Sequence, residues 1–596
     1  MRVKLLVLGL IGSLFFISPV AVNADQAWVG DPGANWIPPD DAERGIHVQW
    51  FQDSWQGDAS SSLIDDVLRA SKFEDPTCRS LQDSRCTSQN LGFNALLPFC
   101  EQISDFYCLE DFGLISGTGE KISAKHSRNY PAKAQNEFTG TPSLRVPTGS
   151  TGSLFNLPEA LHQGGDLYYV SVLVGGSAHK KSPANLGDLT IKIFPVALEN
   201  DPRIGALAQG AESGWAPCPE ECAGEQKGVW RNQGACLTQK GFCVVYSGQE
   251  STFAKRYSFP AGKKYYVKVR TPNLPSGWMH GRISQPDISI TGIDGNYKIM
   301  VSAFPVAVPV VYKTYKYSQM PQALKDQYDI ATGDYKPQVA TYSQEIIKQT
   351  IEGGCGRTKC TPDPLTRNKM VQPGPSDPFG MDQLKLWLPF VEDKATAVFG
   401  TWTLRTLNSG EASGALPCFT DGSKGVTGIV TTNATQYLAG PPKFNRSEQA
   451  LEYKVSAPHL TPQGTTFFGS YDLLMRSDVA RCVYSFSNAP IKGTISVTGS
   501  DGEQKIATES VKEANGWVSL SANGFTYSAP TISVKLSQDK IEAPKPTSTG
   551  VEAKPSNEAA KPQIAAKKKS ITCTNGKLTK KVSAINPKCP AGFKKK

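Results

Sequence analysis

LTIKIF, residues 189–194, sets Leu189, Ile191 and Ile193 on one side of the chain and Thr190 and Lys192 on the other. A period of two is that of a half-buried β-strand, because successive side chains of an extended chain leave on opposite faces. The alternation returns in YKIMVSA (297–303), where Tyr297, Ile299 and Val301 align. It returns again in TISVKL (531–536), where Ile532, Val534 and Leu536 oppose Ser533 and Lys535. Asp294-Gly295 and Asp501-Gly502 fall between such runs, where tight hairpin turns need residues that accept positive φ. Both ends of the chain's body therefore read as antiparallel β.

Helical signal is sparse. SSSLIDDVLRASK (60–72) pairs Leu63 with Val67 and Ile64 with Leu68 at one-turn spacing after serines that can cap. VATYSQEIIKQTIE (339–352) does the same with Val339, Tyr342, Ile346 and Ile347, and Gly353-Gly354 ends it. A Pro-rich polar stretch, CTPDPLTRNKMVQPGPSDPFG (360–380), then reads as a connection.

The first residues, MRVKLLVLGLIGSLFFISPVAVNA, have the basic start, apolar run and small-residue end of a secretory signal, with cleavage expected after Ala24. The apolar run from Leu5 to Ile17 is too short for a permanent span, and no transmembrane segment is expected in the mature chain. Fourteen cysteines fall into local sets: Cys78, Cys86, Cys100 and Cys108; Cys218, Cys222, Cys236 and Cys243; Cys355 and Cys360; Cys418 and Cys482; Cys573 and Cys589. In an exported chain these read as disulfides closed within each neighbourhood, with connectivity inside the four-cysteine sets left open. The last spacing of the second set is too wide for a usual zinc knuckle and the expected compartment is oxidising, so no metal and no cofactor is expected.

The expected fold is mainly β, with two β-rich, sandwich-like domains. After the signal at 1–24 comes a disulfide-rich β domain at 25–312, a helical and Pro-rich connection at 313–383, and a β-sandwich-like domain at 384–540 in which Cys418–Cys482 pins two sheets. A Pro-, Ala- and Lys-rich stretch, 541–566, reads as a disordered tether with little to bury. The last segment, 567–596, returns to order as a hairpin around Asn575-Gly576. A Cys573–Cys589 bridge would contribute roughly 3 kcal/mol on a chain-entropy estimate. That bridge explains how so small a unit persists, since a lone hairpin is marginal.

The charge is uneven. The whole chain carries 63 basic and 54 acidic side chains, and thirteen lysines against three glutamates lie from Ile541 onward. The tail therefore carries the excess, and the body is near neutral. Lys567, Lys568, Lys569, Lys577, Lys580, Lys581, Lys588, Lys594, Lys595 and Lys596 form the candidate surface-binding set. Nucleic acid is not the expected partner, because the tail offers only Phe593 for base stacking.

The pattern ITC…GKLTKKV…PKCPAGFKKK resembles a short C-terminal element that recurs on exported actinobacterial proteins with unrelated bodies. The resemblance covers about the last thirty residues and implies a delivery or retention role at the cell envelope. The body, including SGWMHGRI (276–283) and MRSDVARCVYSFSNAPI (475–491), is similar to uncharacterised secreted proteins of the same kind of bacterium. That similarity brings no activity with it.

Catalytic signatures are missing from the sequence: no G-x-S-x-G, no H-E-x-x-H and no P-loop. The six histidines are not at metal-ligand spacing, and His280 and His459 read as local hydrogen-bond partners rather than bases. The acid pairs Asp40-Asp41 and Asp65-Asp66 read as a solvated loop and a helix face. Trp28, Trp36, Trp50 and Trp55 cluster near the mature N-terminus as candidates for stacking on a glycan, against the blander role of filling a core. The expected function is a secreted, cell-wall or cell-surface binding or adhesion protein without catalytic activity, held by its basic tail on an anionic polymer. Carbohydrate is a candidate partner. The alternatives are a polysaccharide- or peptidoglycan-acting hydrolase, whose paired acids need no motif, and a structural surface-layer protein.

Overall fold

The computed structural model describes residues 28–29, 45–50, 58, 60–70, 76–200, 243–328 and 369–538, apart from short gaps inside these ranges, and parts of 569–595. The chain is mainly β. Two compact units emerge, Met1–Asp539 and Lys540–Lys596.

The alternating runs are strands with the faces the sequence assigns them. Leu189, Ile191 and Ile193 are buried within Ser182–Asn200; Ile532, Val534 and Leu536 are buried within Thr531–Gln538. One broad sheet runs through the first unit in the order Gly152–Asn156, Leu167–His179, Ser182–Asn200, Ala397–Thr406, Gly277–Ile293, Val426–Thr432, Phe468–Arg476, Trp517–Thr526, Thr508–Ala514. Its pairings are antiparallel except that between Gly277–Ile293 and Val426–Thr432. A single ladder row carries Val172, Ile191, Leu404, Gly281, Thr431, Asp472, Ser521 and Ser510 side by side.

Long strands turn corners and close the pairings on themselves. Within Gly277–Ile293, residues 279–282 pair with Ala397–Thr406, and residues 283–293 pair with Asn296–Lys316. The changeover is marked by a β-bulge between Ser284 and Asp287, a device that bends one strand and redirects its side chains. Asn296–Lys316 in turn pairs with Lys264–Thr271, then Ala397–Thr406, then Gly45–Trp50 along its length.

The expected division into β domains at 25–312 and 384–540 differs from this arrangement. Ala397–Thr406 is hydrogen-bonded between Ser182–Asn200 and Gly277–Ile293, so strands from both segments share one sheet. Pairings this distant in sequence leave no local trace, which is why composition alone suggested a boundary. The expected connection at 313–383 is also partly built in. The strand Asn296–Lys316 passes its start, Lys369–Val371 pairs with Gly45–Trp50, and the helix Pro378–Trp387 buries Leu384 and Trp387. The helix read at 339–352 and the glycines after it lie outside the described residues.

The sandwich expected in the second half does form. Ala450–Ser456, Thr531–Gln538, Ile491–Thr498 and Gln504–Ile506 make a second sheet. Its Ile495, Val497, Ile532 and Val534 share a core with Tyr471, Leu473, Val518 and Leu520 of the broad sheet. Cys418–Cys482 is bonded as expected, but it joins two short helices, Pro417–Thr420 and Ser477–Tyr484, rather than two sheets. Cys78–Cys86 and Cys100–Cys108 are bonded, closing the first cysteine set locally. Cys243 and Cys589 are disulfide-bonded too. Cys218, Cys222, Cys236, Cys355 and Cys360 lie outside the described residues.

The helix expected at 60–72 starts later than its pattern suggests. Ser62–Asp65 is a strand, and the described helix is Asp66–Ala70. Asp65 ends the strand and caps the helix, accepting the amides of Val67 at 2.9 Å and Leu68 at 3.4 Å. It also accepts the Ser88 amide at 2.9 Å, so it is a buried cap rather than one of two acids on a helix face.

Candidate functional site

The second unit carries the lysine set. Lys569–Asn575 pairs with Leu578–Ala584 on one side and Lys594–Lys595 on the other. Asn575 lies opposite Leu578 at the end of the ladder, and Gly576 lies outside the described residues. The register sets Lys580 and Lys595 on either side of Cys573, with Lys581 opposite Thr572 and Lys594 opposite Thr574. Lys594 and Lys595 are exposed. Lys567, Lys568, Lys577, Lys588 and Lys596 lie outside the described residues.

The four tryptophans are only partly placed. Trp28 pairs with Pro260, and Trp50 pairs with Val311. Trp36 and Trp55 lie outside the described residues. The two histidines singled out lie apart. His280 is buried and stacks on Tyr437 with ring centroids 3.7 Å apart, in the interior beside Arg282. His459 faces Asp393, its Nδ1 3.1 Å from Oδ2, while its backbone N–H donates to Oδ1 at 2.9 Å. Among the described residues, no group of three or more His, Cys, Asp or Glu side chains is placed to hold a metal ion. Likewise, no helix among them is long and apolar enough to cross a membrane.

Among the described residues, the most developed polar arrangement is a cleft of about 340 Å³ over Asp472. Phe468–Arg476 alternates strictly. Tyr471, Leu473 and Met475 enter the second-half core, while Ser470, Asp472 and Leu474 belong to the other face. Across the ladder Ser470 meets Asn523, Asp472 meets Ser521, and Leu474 meets Ser519. Beyond them Thr508, Ser510 and Lys512 lie opposite Asn523, Ser521 and Ser519. One face of three adjacent strands is therefore mostly hydroxyl and amide positions.

Asp472 anchors this face. It is 2% exposed and accepts the Thr431 hydroxyl at 2.9 Å, the Gln285 amide at 3.0 Å and the Ser521 hydroxyl. Burial pushes its carboxyl up from the ordinary range, while the bonds from Ser521, Gln285 and Thr431 pull against that rise. Gln285 sits in the bulge with φ 49°, a left-handed conformation that a side chain with a Cβ adopts at a cost. The hydrogen bond to Asp472 offsets that cost and fixes the bulge as the roof of the cleft. A second irregularity follows the lining residue Asn523. Gly524, at φ 79°, is the extra residue between Asn523 and Phe525, which pair with Ser470 and Gly469. Lys264 and Lys512 line the cleft from different strands, and Lys264 is ion-paired with the exposed Asp287.

A separate charged cluster lies on the sheet formed by Cys108–Ile115, Lys264–Thr271 and Asn296–Lys316. Glu110 receives Lys268 Nζ and Arg270 Nε, each at 2.8 Å, and Lys298 Nζ at 3.2 Å. Burial acts to raise the carboxyl, but bonds from Arg270, Lys268 and Lys298 dominate and bring it down to about 2.

Comparison with known proteins found no matching family model, no matching curated protein and no matching solved structure. The chemistry of this chain must therefore be argued from its own residues. The cleft escaped the sequence reading, although a signal existed. SYDLLMR (470–476) is an apolar strand pattern interrupted by one carboxylate, and a strand acid in such a setting needs several donors to be buried. The Asp393–His459 pair had no such signal, because 66 positions separate its members.

Proposed function

We propose that the chain is an exported cell-envelope protein that binds or adheres without catalysis, held at an anionic wall or surface by its lysine-rich C-terminal unit. The observation that carries this reading is the separate C-terminal unit, a three-stranded sheet in which lysines flank Cys573 on both neighbouring strands. An ordered display of cations on a unit distinct from a near-neutral body is suited to retention rather than to folding. Each lysine near an anionic surface contributes on the order of 1 kcal/mol at modest ionic strength, so several together hold the chain and salt releases it. The bonded cysteines support an oxidising destination, since disulfides persist there.

The test is retention on washed cell envelopes across a salt series, comparing the whole mature chain with one that stops at Lys540. Only the longer form is expected to bind, and rising salt should elute it. Equal binding by both forms would place recognition in the body and remove the role given to the tail.

A further inference from the structure

We propose that the cleft over Asp472 binds an acidic sugar, a hydroxyl-rich ring bearing one carboxylate. This goes beyond the tail's retention role, concerns the body alone, and stands or falls separately from it.

The argument begins with what shapes the space. The Ser284–Asp287 bulge, with Gln285 at φ 49°, bounds the cleft, and the extra residue Gly524, at φ 79°, follows the lining residue Asn523. A strained non-glycine residue held by a buried carboxylate is a costly device, and such devices concentrate where a ligand must be met. The resulting volume, about 340 Å³, is at the small end of ligand sites and fits a compact polar molecule.

The lining selects the chemistry. Ser519, Ser521 and Asn523 alternate along one strand, which spaces them about 7 Å apart on one face. Ser521 donates its proton to Asp472, so towards the cleft its oxygen is an acceptor for a ligand hydroxyl. The Asn523 amide offers both a donor and an acceptor. Beside Leu474 and Pro286, this floor offers a ligand hydroxyl the Ser521 oxygen and the Asn523 amide, and an apolar ligand would leave the Asn523 amide unpaired. Charge then fixes the orientation. The buried Asp472 carboxylate disfavours a second negative charge near the floor. The rim carries Lys264, already paired with Asp287, and the exposed Lys512, for which no carboxylate partner occurs among the described residues. A sugar acid satisfies both zones at once, with hydroxyls to the floor and carboxylate at Lys512.

The experiment is a ligand-observed NMR titration of the full chain with D-glucuronate, D-glucose and inorganic phosphate. Lys512→Ala and Asn523→Ala are the test variants. Lys535→Ala is the control, since Lys535 pairs with Glu448 on another sheet. Glucuronate should bind, glucose about tenfold more weakly, and phosphate should not displace glucuronate at equal concentration. Lys512→Ala should weaken glucuronate about tenfold and leave glucose unchanged, whereas Asn523→Ala should weaken both. Lys535→Ala should change neither, which separates the cleft from diffuse attraction to exposed lysines elsewhere on the body. Melting curves check that each variant is folded, and the exposed Lys512 position carries the test if Asn523→Ala is not. No saturation transfer to glucuronate would overturn the proposal. So would equal affinities in Lys512→Ala and Lys535→Ala, or full displacement by phosphate.

Discussion

Individual carboxylates in this molecule act with opposite signs on stability, and their surroundings decide which. Glu110 is 14% exposed and touched by three cations, which hold it at about 2 against an ordinary 4.5. A carboxyl lowered in the folded state stabilises the fold above its unfolded value and loses that contribution as pH falls towards the folded one. Glu110→Gln should therefore lower the melting temperature near neutral pH, by the equivalent of about 1–2 kcal/mol once partial solvent screening is allowed for. The gap between variant and parent should close as acid titration proceeds from 4.5 down to about 2. A gap that stays constant over that range would mean the three cations are not stabilised by the charge. Asp472 contributes in the other direction, because burial raises it and the fold gains relative stability at lower pH. Comparing Glu110→Gln with its parent cancels that opposing contribution. The lone acid in SYDLLMR marked Asp472, but the role of Glu110 was not legible in the sequence. Glu110 stands beside a register shift in its strand, and its three partners come from strands more than 150 positions later.

At the scale of elements, sequence served best where the cause is local. The period-two runs at 189–193 and 532–536 bury the residues they should, because alternation alone fixes a strand's two faces. Ile293 lies opposite Asn296, as an Asp294-Gly295 turn requires. The turn at Asn515-Gly516, with φ 52° and 79°, is as strong a signal of the same kind, and the sequence reading passed over it. Leu63 and Ile64 misled because two apolar neighbours fit a helix face and a strand's start equally well. The cysteine pair at 418 and 482 was legible from spacing, but the helices it joins were too short to show periodicity. That bridge closes the longest loop among the bridges with both cysteines described, with a separation of 64 against 8 for Cys78–Cys86 and Cys100–Cys108. On loop-closure entropy it contributes about 4 kcal/mol, against about 2–3 kcal/mol for each short loop. Cys482 is exposed and Cys418 half-buried, so replacing both with serine removes little packing. The double variant should melt lower than a Cys100→Ser, Cys108→Ser variant. The reverse order would mean that local packing, not loop closure, sets the value of these bridges.

At the scale of the whole molecule, the two β segments seen in the sequence are real as compositions and not as separate folds. Ala397–Thr406 supplies the link. Thr403 and Arg405 face Lys192 and Thr190 on one side and Arg282 and His280 on the other, so the strand's two edges are both occupied by the earlier segment. Trp402 and Leu404 are buried in the same cluster as Ile191, Ile193 and Met279. Residues 25–312 made alone would leave Ser182–Asn200 and Gly277–Ile293 with unpaired edges and an uncovered apolar face. Exposed edges and faces of this kind drive association. Ending the chain at Lys540 breaks no such pairing, because the described strands of the first unit all end by Gln538. The expected outcome is therefore asymmetric. A chain of 25–540 should be soluble and melt at the temperature of the full mature chain, while 25–312 and 384–540 should each aggregate or show only the weak, non-cooperative melting of partly ordered β. Size-exclusion chromatography with far-UV circular dichroism melts on all four chains would decide it. A soluble, cooperatively melting 25–312 would show that Ala397–Thr406 adds to a sheet already stable without it, and that the boundary drawn from composition is a folding boundary after all.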